Sequence, residues 1–301
     1  MLASVHDAED ALQDAMLRAW RSLKGFEGRS SLRRWLYTIC TNTCLDVIHR
    51  RPKRVLPVDY GPRTDPHDGP GDPVLESVWV EPYPDETLGV ADGYASPDAR
   101  YEQRESIELA FIAALQLLPA TQRAVLILRE VLGFSAKETA ETLDTTTASV
   151  NSALQRARAT LATKDVDEGE PTDPMDAEQQ ALLARYVDAF ERYDTDALTS
   201  LLHDDAKWSM PPYELWLQTH DDVVKWCLGP GIGCQGSRLI PTMANGRFAF
   251  GQYKPDPVNG GLAPWSLQVL ELSGDRVAGI TFFLDTERYF PLFGLPDHLD
   301  A

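Results

Sequence analysis

GFSAKETAETLDTTTASVNSALQRARATL, residues 133–161, holds two helical patterns separated by a turn. Gly133 closes the segment before it. Ser135 and Glu138 stand at capping-box spacing: the serine hydroxyl can accept from the amide three residues on, and the glutamate can reach back. A short helix is expected to about Leu143, DTTT makes the turn and cap, and a last helix runs from Thr146 or Thr147 to Ala162. Ala140, Leu143, Val150, Leu154 and Ala157 fall on one inward face. A short helix, a tight turn and a longer helix form the helix-turn-helix pattern. Its second helix enters a major groove, early outward side chains meeting base edges. The outward positions are Ala148, Asn151, Ser152 and Gln155, with Arg156 and Arg158 nearby. Asn and Gln can bond adenine bidentately, and Arg can bond phosphate or guanine. The competing reading of the same pattern is a helical hairpin in an ordinary bundle.

The net charge of -18 argues against DNA until it is located. Residues 1–56 carry 10 Lys and Arg against 6 Asp and Glu, and residues 111–164 carry 6 against 4. Residues 57–110 carry 3 against 13, and residues 165–301 carry 9 against 23. Two basic islands therefore sit in an acidic chain, and local rather than total charge decides contact with phosphates.

The first island begins with an amphipathic pattern over 5–23, with Ala8, Ala11, Leu12, Ala15, Met16, Ala19 and Leu23 read as the inward face. After Gly25 and Gly28, Ser30 or Ser31 can cap a second helix that runs to about Arg51, before Pro52. Leu32, Trp35, Leu36, Ile39, Cys40, Leu45 and Ile48 make its apolar stripe. FEGRSSLRRWLYTICTNTCLDVIHRRPKR interleaves cations with Phe26, Trp35 and Tyr37, the composition of a surface that stacks unpaired bases. Trp35 also reads as a core residue. From Pro57 to about Asp98, Pro, Gly and Asp dominate without periodicity, a linker signature. The aromatic segment VWVEPYPDETL inside it is suited to docking on a neighbour. A third helix is expected over 98–118, with Ile107, Ala110, Phe111, Ala114, Leu115 and Leu118 inward, and another after Pro119 up to Gly133. Residues 164–177 form an acidic linker. Beyond it, two helices precede short strand-like runs, which points to an α+β domain.

No apolar run has the length of a membrane span, and the N-terminus shows no leader pattern. Cys40, Cys44, Cys227 and Cys234 show no CxxC spacing. Cys40 and Cys44 share a helix face with His49 as the only nearby metal ligand, so buried free thiols in a reducing, cytosolic compartment are the expectation. No cofactor and no membrane partner are expected.

HDAEDALQDAMLRAW, FEGRSSLRRWLYTICTNTCLDVIHRR and LPATQRAVLILREVLGFSAKETAETLDTTTASVNSALQRARATL resemble regions two and four of extracytoplasmic function sigma factors of the sigma-70 family. The segment after about 177 resembles the SnoaL-like α+β domain fused to some of them, and VWVEPYPD and FFLDTERYFPLFGLP resemble segments of that fused subgroup. The implied architecture is multidomain. It has two all-α domains, region two at 1–56 and the helix-turn-helix region four at 98–163, then an α+β cone at 177–301. Linkers fall at 57–97 and 164–176. The resemblance starts inside the first helix of region two, which implies a shortened region two.

The resemblance implies a factor that directs core RNA polymerase to promoters. Asp10, Gln13 and Asp14 match the face that grips the polymerase β′ subunit, and the β subunit is a further implied partner. Phe26, Gly28, Arg29, Ser30 and Ser31 match the loop that captures a flipped base of the −10 element, and Asn42 matches a base-reading position. Flipping costs a few kcal/mol, which stacking and pocket contacts must offset. Arg33, Arg34, Arg50, Arg51, Lys53 and Arg54 fit phosphate contact. Asn151, Ser152, Gln155 and Arg156 match readers of the −35 element, but Asn151 stands where many members carry Arg. For the cone, the candidate ligand pocket is Trp208, Met210, Tyr213, Trp216, His220, Trp226, Trp265, Phe283 and Asp285. His220 with Asp221 or Asp285 is the acid–base pair of the rival reading, a cyclase- or isomerase-type enzyme tethered to a DNA-binding module. The main reading gives the cone a regulatory role, with an unidentified small molecule as a candidate ligand.

Overall fold

The computed structural model describes residues 1–28, 30–74, 78–88, 109–162 and 177–300. Two compact units form, one from Met1–Val55 with Leu109–Asp167, the other from Leu56–Glu108 with Glu168–Ala301. Arg29, the tether over 89–97, the first half of the helix expected at 98–118 and the linker at 164–176 lie outside the described residues, as do the side chains of Ala110, Phe111 and Ala114.

In the first unit, α1 spans Val5–Ser22 and starts where the Ser4 hydroxyl accepts from the Asp7 amide at 3.1 Å. α2 spans Leu32–Arg50, with the Ser31 hydroxyl accepting from the Arg34 amide at 3.2 Å. α1 buries only Val5, Asp7, Ala11, Ala15 and Ala19. Leu12, Met16 and Leu23, read as core, point to solvent, as do Leu17 and Trp20; Ala8 and Leu32 are exposed too. Three alanines four residues apart form a flat stripe on which α2 can sit closely, and the larger side chains then have no room on that face.

Two short helices, α3 (Pro57–Tyr60) and α4 (Asp85–Leu88), belong to the other unit, and the rest of this one is α5 (Leu109–Leu117), α6 (Ala120–Leu126), α7 (Ala136–Thr142) and α8 (Thr147–Ala162). Pro119 precedes α6, which widens into a π turn over Ile127–Val131 before Gly133 takes φ +68°. Leu115, Leu118, Val125, Leu126, Val150, Leu154 and Ala157 make one core. Each inward residue recurs at three or four, so one stripe per helix suffices to build it. Arg123, 3% exposed, donates to the carbonyls of Gln116 (3.0 Å) and Leu118 (3.2 Å) on this side and to that of Met1 (2.8 Å). Burial pushes its guanidinium pKa down to about 10, so it is still charged at neutral pH.

The second unit is a six-stranded sheet in the order β2-β1-β6-β5-β4-β3. The strands are β1 (Leu202–Ser209), β2 (Trp216–Gln218), β3 (Arg238–Ala244), β4 (Arg247–Pro255), β5 (Leu262–Ser273) and β6 (Arg276–Phe283). β1 and β6 run parallel and every other pair is antiparallel. Helices α9 (Ala177–Glu191), α10 (Thr195–Ser200) and α11 (His220–Leu228) cover one face, and α12 (Thr286–Leu292) follows β6. The core between helices and sheet includes Leu182, Tyr186, Phe190, Leu198, Trp208, Trp226, Leu270 and Phe282. This is the α+β architecture expected from helices followed by strands.

The chain between the helical modules is not a free tether where it is described. α3 (Pro57–Tyr60) and α4 (Asp85–Leu88) bracket a strap laid on the sheet unit. Gly61 accepts from the Trp216 indole at 3.0 Å, Thr64 N–H donates to the Trp216 carbonyl at 3.0 Å, and Val74 N–H donates to the Pro212 carbonyl at 2.9 Å. Val78, Trp79 and Val80 are buried, and the Trp79 indole donates to the Pro212 carbonyl at 3.1 Å. Tyr83 and Asn245 exchange two hydrogen bonds (2.8 and 2.9 Å), and Glu81 pairs with Arg288 at 2.9 Å. Pro, Gly and Asp content predicts a chain without a core of its own, and this segment borrows one.

Candidate functional site

In the helix-turn-helix, Ser135 and Glu138 close both arms of the capping box. Hydrogen bonds from Ser135 hold the Glu138 carboxyl below the usual range. Asp144 takes φ +49° at the turn, and the Thr146 hydroxyl accepts from the Ser149 amide at 3.1 Å to start α8. Val150, Ala153, Leu154 and Ala157 bury one face of α8, so Ala148, Asn151, Ser152, Gln155 and Arg156 stand exposed along the other. The Arg156 guanidinium donates to the Ser152 hydroxyl at 2.6 Å, which joins two of the candidate readers. Arg158 is exposed but turned to Glu130, with Nε 2.9 Å from the carboxylate. Its cation is already engaged.

Region two supplies the second surface. Phe26 and Trp35 stack at 5.1 Å and 42°, both half-buried, so Trp35 serves as wall rather than deep core. Ser30 is half-buried and Ser31 is spent on capping α2. Gly28 takes φ +69°, a conformation that glycine adopts without a Cβ penalty. Asn42, Arg33, Arg50 and Lys53 are exposed. The Arg33 guanidinium lies 5.5 Å from the Tyr37 ring centroid, and Tyr37 meets Phe134 edge-on at 5.8 Å. Arg34 is ion-paired to Glu141 of α7. Two candidate DNA-facing side chains of region two, Arg34 and Tyr37, are thus engaged with region four.

Arg54 corrects the sequence reading: it is 4% exposed and pairs with Asp7 at 2.6 Å, while Arg51 pairs with the same carboxylate. A buried carboxylate in the first turn of α1 needs cationic partners, and the basic run at the end of α2 supplies them. Asp10 and Gln13 are exposed, and Asp14 holds Arg18 at 3.1 Å, which also reaches Asp46 at 2.9 Å. Leu12 and Met16, read as inward, and Leu17 and Trp20, given no role, are exposed on the same helix. Their apolar exposure is a docking signal, but the pattern alone looks like an ordinary core stripe.

The sheet unit encloses a cavity of about 200 Å³ lined by Trp208, Met210, Tyr213, Trp226 and Trp265 of the expected set. Trp216, His220, Phe283 and Asp285 do not line it. Trp216 carries the strap, and Phe283 packs against Tyr289 at 5.7 Å, since strand neighbours face opposite ways. The His220 ring nitrogen lies 3.0 Å from the His203 carbonyl and 3.2 Å from that of Leu202, while Asp221 pairs with Lys225. Asp285 is exposed at the start of α12. The proposed acid–base pair is therefore not assembled. Phe190, Phe282, Gln252, Cys234 and Lys254 line the cavity and were not expected. Gln252 and Lys254 had a signal: polar residues two apart at alternating positions late in β4. Among the described residues no group could hold a metal ion, and no helix is long and apolar enough to cross a membrane.

The Sigma-70 region 2 family matches residues 1–54, and the Sigma-70, region 4 family matches residues 108–161. The chain is 44% identical to the ECF RNA polymerase sigma factor SigG of Mycobacterium tuberculosis, over 99% of this chain and 80% of that protein. Its fold is similar to the crystal structure of the Mycobacterium tuberculosis extracytoplasmic function sigma factor SigJ, with TM-score 0.60 and 21% identity over 98% of this chain and 93% of that one. An NTF2-like protein from Burkholderia pseudomallei is similar at TM-score 0.31 and 20% identity, over 39% of this chain and 98% of that one. Matched end to end by a sigma factor and region by region by the family, the chain belongs to the extracytoplasmic function sigma factors of the sigma-70 family.

Proposed function

We propose that this sigma factor reads the −35 element with Asn151, Ser152, Gln155 and Arg156, and contacts the −10 element with Phe26, Asn42 and the cations Arg33, Arg34 and Arg50. The single observation that carries the reading is the exposed row on α8, fixed by a buried Val150–Ala157 stripe on the other face. Arg and Asn contacts of this kind discriminate bases by about 1–3 kcal/mol each. Leu12, Met16, Leu17 and Trp20, with Asp10 and Gln13, form the surface that docks on core polymerase; large apolar side chains rimmed by polar ones suit a protein partner. Function in this reading is transcription initiation with no chemistry of its own.

The sheet unit acts as a control element. It holds the strap through which regions two and four are joined, and the Arg34–Glu141 and Tyr37–Phe134 contacts hold those regions together. Promoter engagement on polymerase requires Arg34 to exchange Glu141 for phosphate, so the state described is the closed member of a two-state pair.

Reconstituted transcription with core polymerase tests both parts. Asn42→Ala and Arg156→Ala should abolish promoter-specific transcripts while His220→Ala leaves them intact. Phe134→Ala, which loosens the closed state, should raise transcript yield at limiting factor. A promoter-specific signal that survives Arg156→Ala and Asn42→Ala together would defeat the assignment of the reading surfaces, and a Phe134→Ala yield unchanged or lower would defeat the closed state.

A further inference from the structure

The cavity under the sheet has a chemistry that selects one kind of occupant. Its walls are apolar and flat: Trp208 and Phe282 lie 4.5 Å apart at 31°, with Phe190 and Met210 beside them. Its floor is rigid, because Gln252 is fully engaged with Ser237 (3.0 Å), Ser266 (2.8 Å) and Gln268 (3.0 Å). Gly231 closes one side so tightly that a Cβ there would lie 2.8 Å from the Trp226 indole nitrogen. Two groups break the pattern. Trp208 is 3% exposed and its indole N–H has no hydrogen-bond partner. A buried donor left unpaired is unfavourable, and an acceptor on a bound molecule would offset that cost.

Lys254 is the second group and, among the described residues, the only charged side chain in the lining. Its ammonium sits 3.1 Å from the Trp265 ring centroid, and among the described residues no carboxylate pairs with it. The ring contact satisfies part of the charge but leaves N–H donors unspent. Desolvation lowers its pKa, as expected of a half-buried cation without a counter-anion. A cation in a cavity without acidic side chains repels cationic ligands and attracts anions. At about 200 Å³ the space exceeds the roughly 150 Å³ engineered cavity that holds benzene. The geometry points to a small hydrophobic monocarboxylate, of one ring or a short chain, held by its carboxylate at Lys254 and by its apolar body against the stacked Trp208–Phe282 pair. Binding stands on the cavity alone; that such a ligand is regulatory rests on the control-element reading above.

The test uses the full chain and four probes, benzoate, phenylacetate, indole-3-acetate and octanoate, each against its primary amide. Tryptophan fluorescence and titration calorimetry read the binding. At least one carboxylate should bind one-to-one and roughly tenfold more tightly than its amide. Lys254→Met should erase that preference and Lys254→Arg should keep it, with circular dichroism confirming the fold of both. Amides that bind as well as carboxylates, a preference that survives Lys254→Met, or no binding by any probe up to about 5 mM would overturn the inference. None of those outcomes touches the closed-state reading, which Phe134→Ala tests separately.

Discussion

α1 and β5 treat their large side chains in opposite ways. In α1, Ala11, Ala15 and Ala19 are buried and Leu12, Met16, Leu17 and Trp20 face outward, Trp20 at 77% exposure. In β5, Leu267, Val269, Leu270 and Leu272 are all 2% exposed or less. The sheet unit satisfies itself, with helices on one face and the strap bonded to Trp216, Pro212 and Asn245. The first helix does not, and its unburied surface is what a partner would cover. Apolar content per residue cannot tell these two cases apart; only the side on which the alanines fall can.

The largest expected contrast comes from truncating one residue on each side. Leu267→Ala should destabilise the sheet unit by about 2–5 kcal/mol in denaturant unfolding, because the transfer term and the cavity add. Trp20→Ala should change stability by no more than about 0.5 kcal/mol, as for a surface site, yet weaken core polymerase binding in a pull-down. If Trp20→Ala unfolds the helical unit, α1 is a core element and the contrast fails. Next in size is Glu81→Ala. Removing the buried partner of Arg288, itself part-exposed, should cost about 1–3 kcal/mol and increase protease cleavage within residues 56–88. Cleavage at the wild-type rate would mean that the strap is not held there.

Smaller effects belong to the helix-turn-helix. Ser135→Ala removes one arm of the capping box and should cost about 1 kcal/mol, seen as a lower unfolding midpoint of the helical unit and weaker promoter DNA binding. The acid response is smaller still. The Glu138 pKa is lowered in the fold from 4.5, so its contribution is complete above that value and disappears as pH falls through the folded value. Helicity followed by circular dichroism between pH 5 and 3 should therefore drop earlier in wild type than in Glu138→Gln, which lacks the titrating group. Superposable acid profiles would mean the cap carries no charge-dependent part.

Local features were readable because local rules govern them. Ser135 and Glu138 are three residues apart, and Val150, Leu154 and Ala157 follow the helical period, so caps, turn and the exposed face of α8 were visible in the string. Asp7 and Arg54 are 47 positions apart, and nothing in the basic run RRPKR says which cation will be buried. His220 reads as a catalytic group beside Asp221, yet its ring turns to the carbonyls of β1. Lys254 passed as one charge in a strand until the sheet curled Trp265 beneath it.

The residue order alone determined the two basic islands, the helix-turn-helix with its caps, the helix-then-strand order of the last domain and the family resemblance, because each depends on periodicity or spacing within a few turns of chain. Tertiary structure alone decided which face of α1 is buried, that Arg54 neutralises Asp7, that the Pro-rich strap lies on the sheet, and that Trp208, Gln252 and Lys254 share one cavity. Those outcomes depend on which distant surfaces meet, and the free energy of burial is set by the partner found there, not by the residue's own neighbours in sequence.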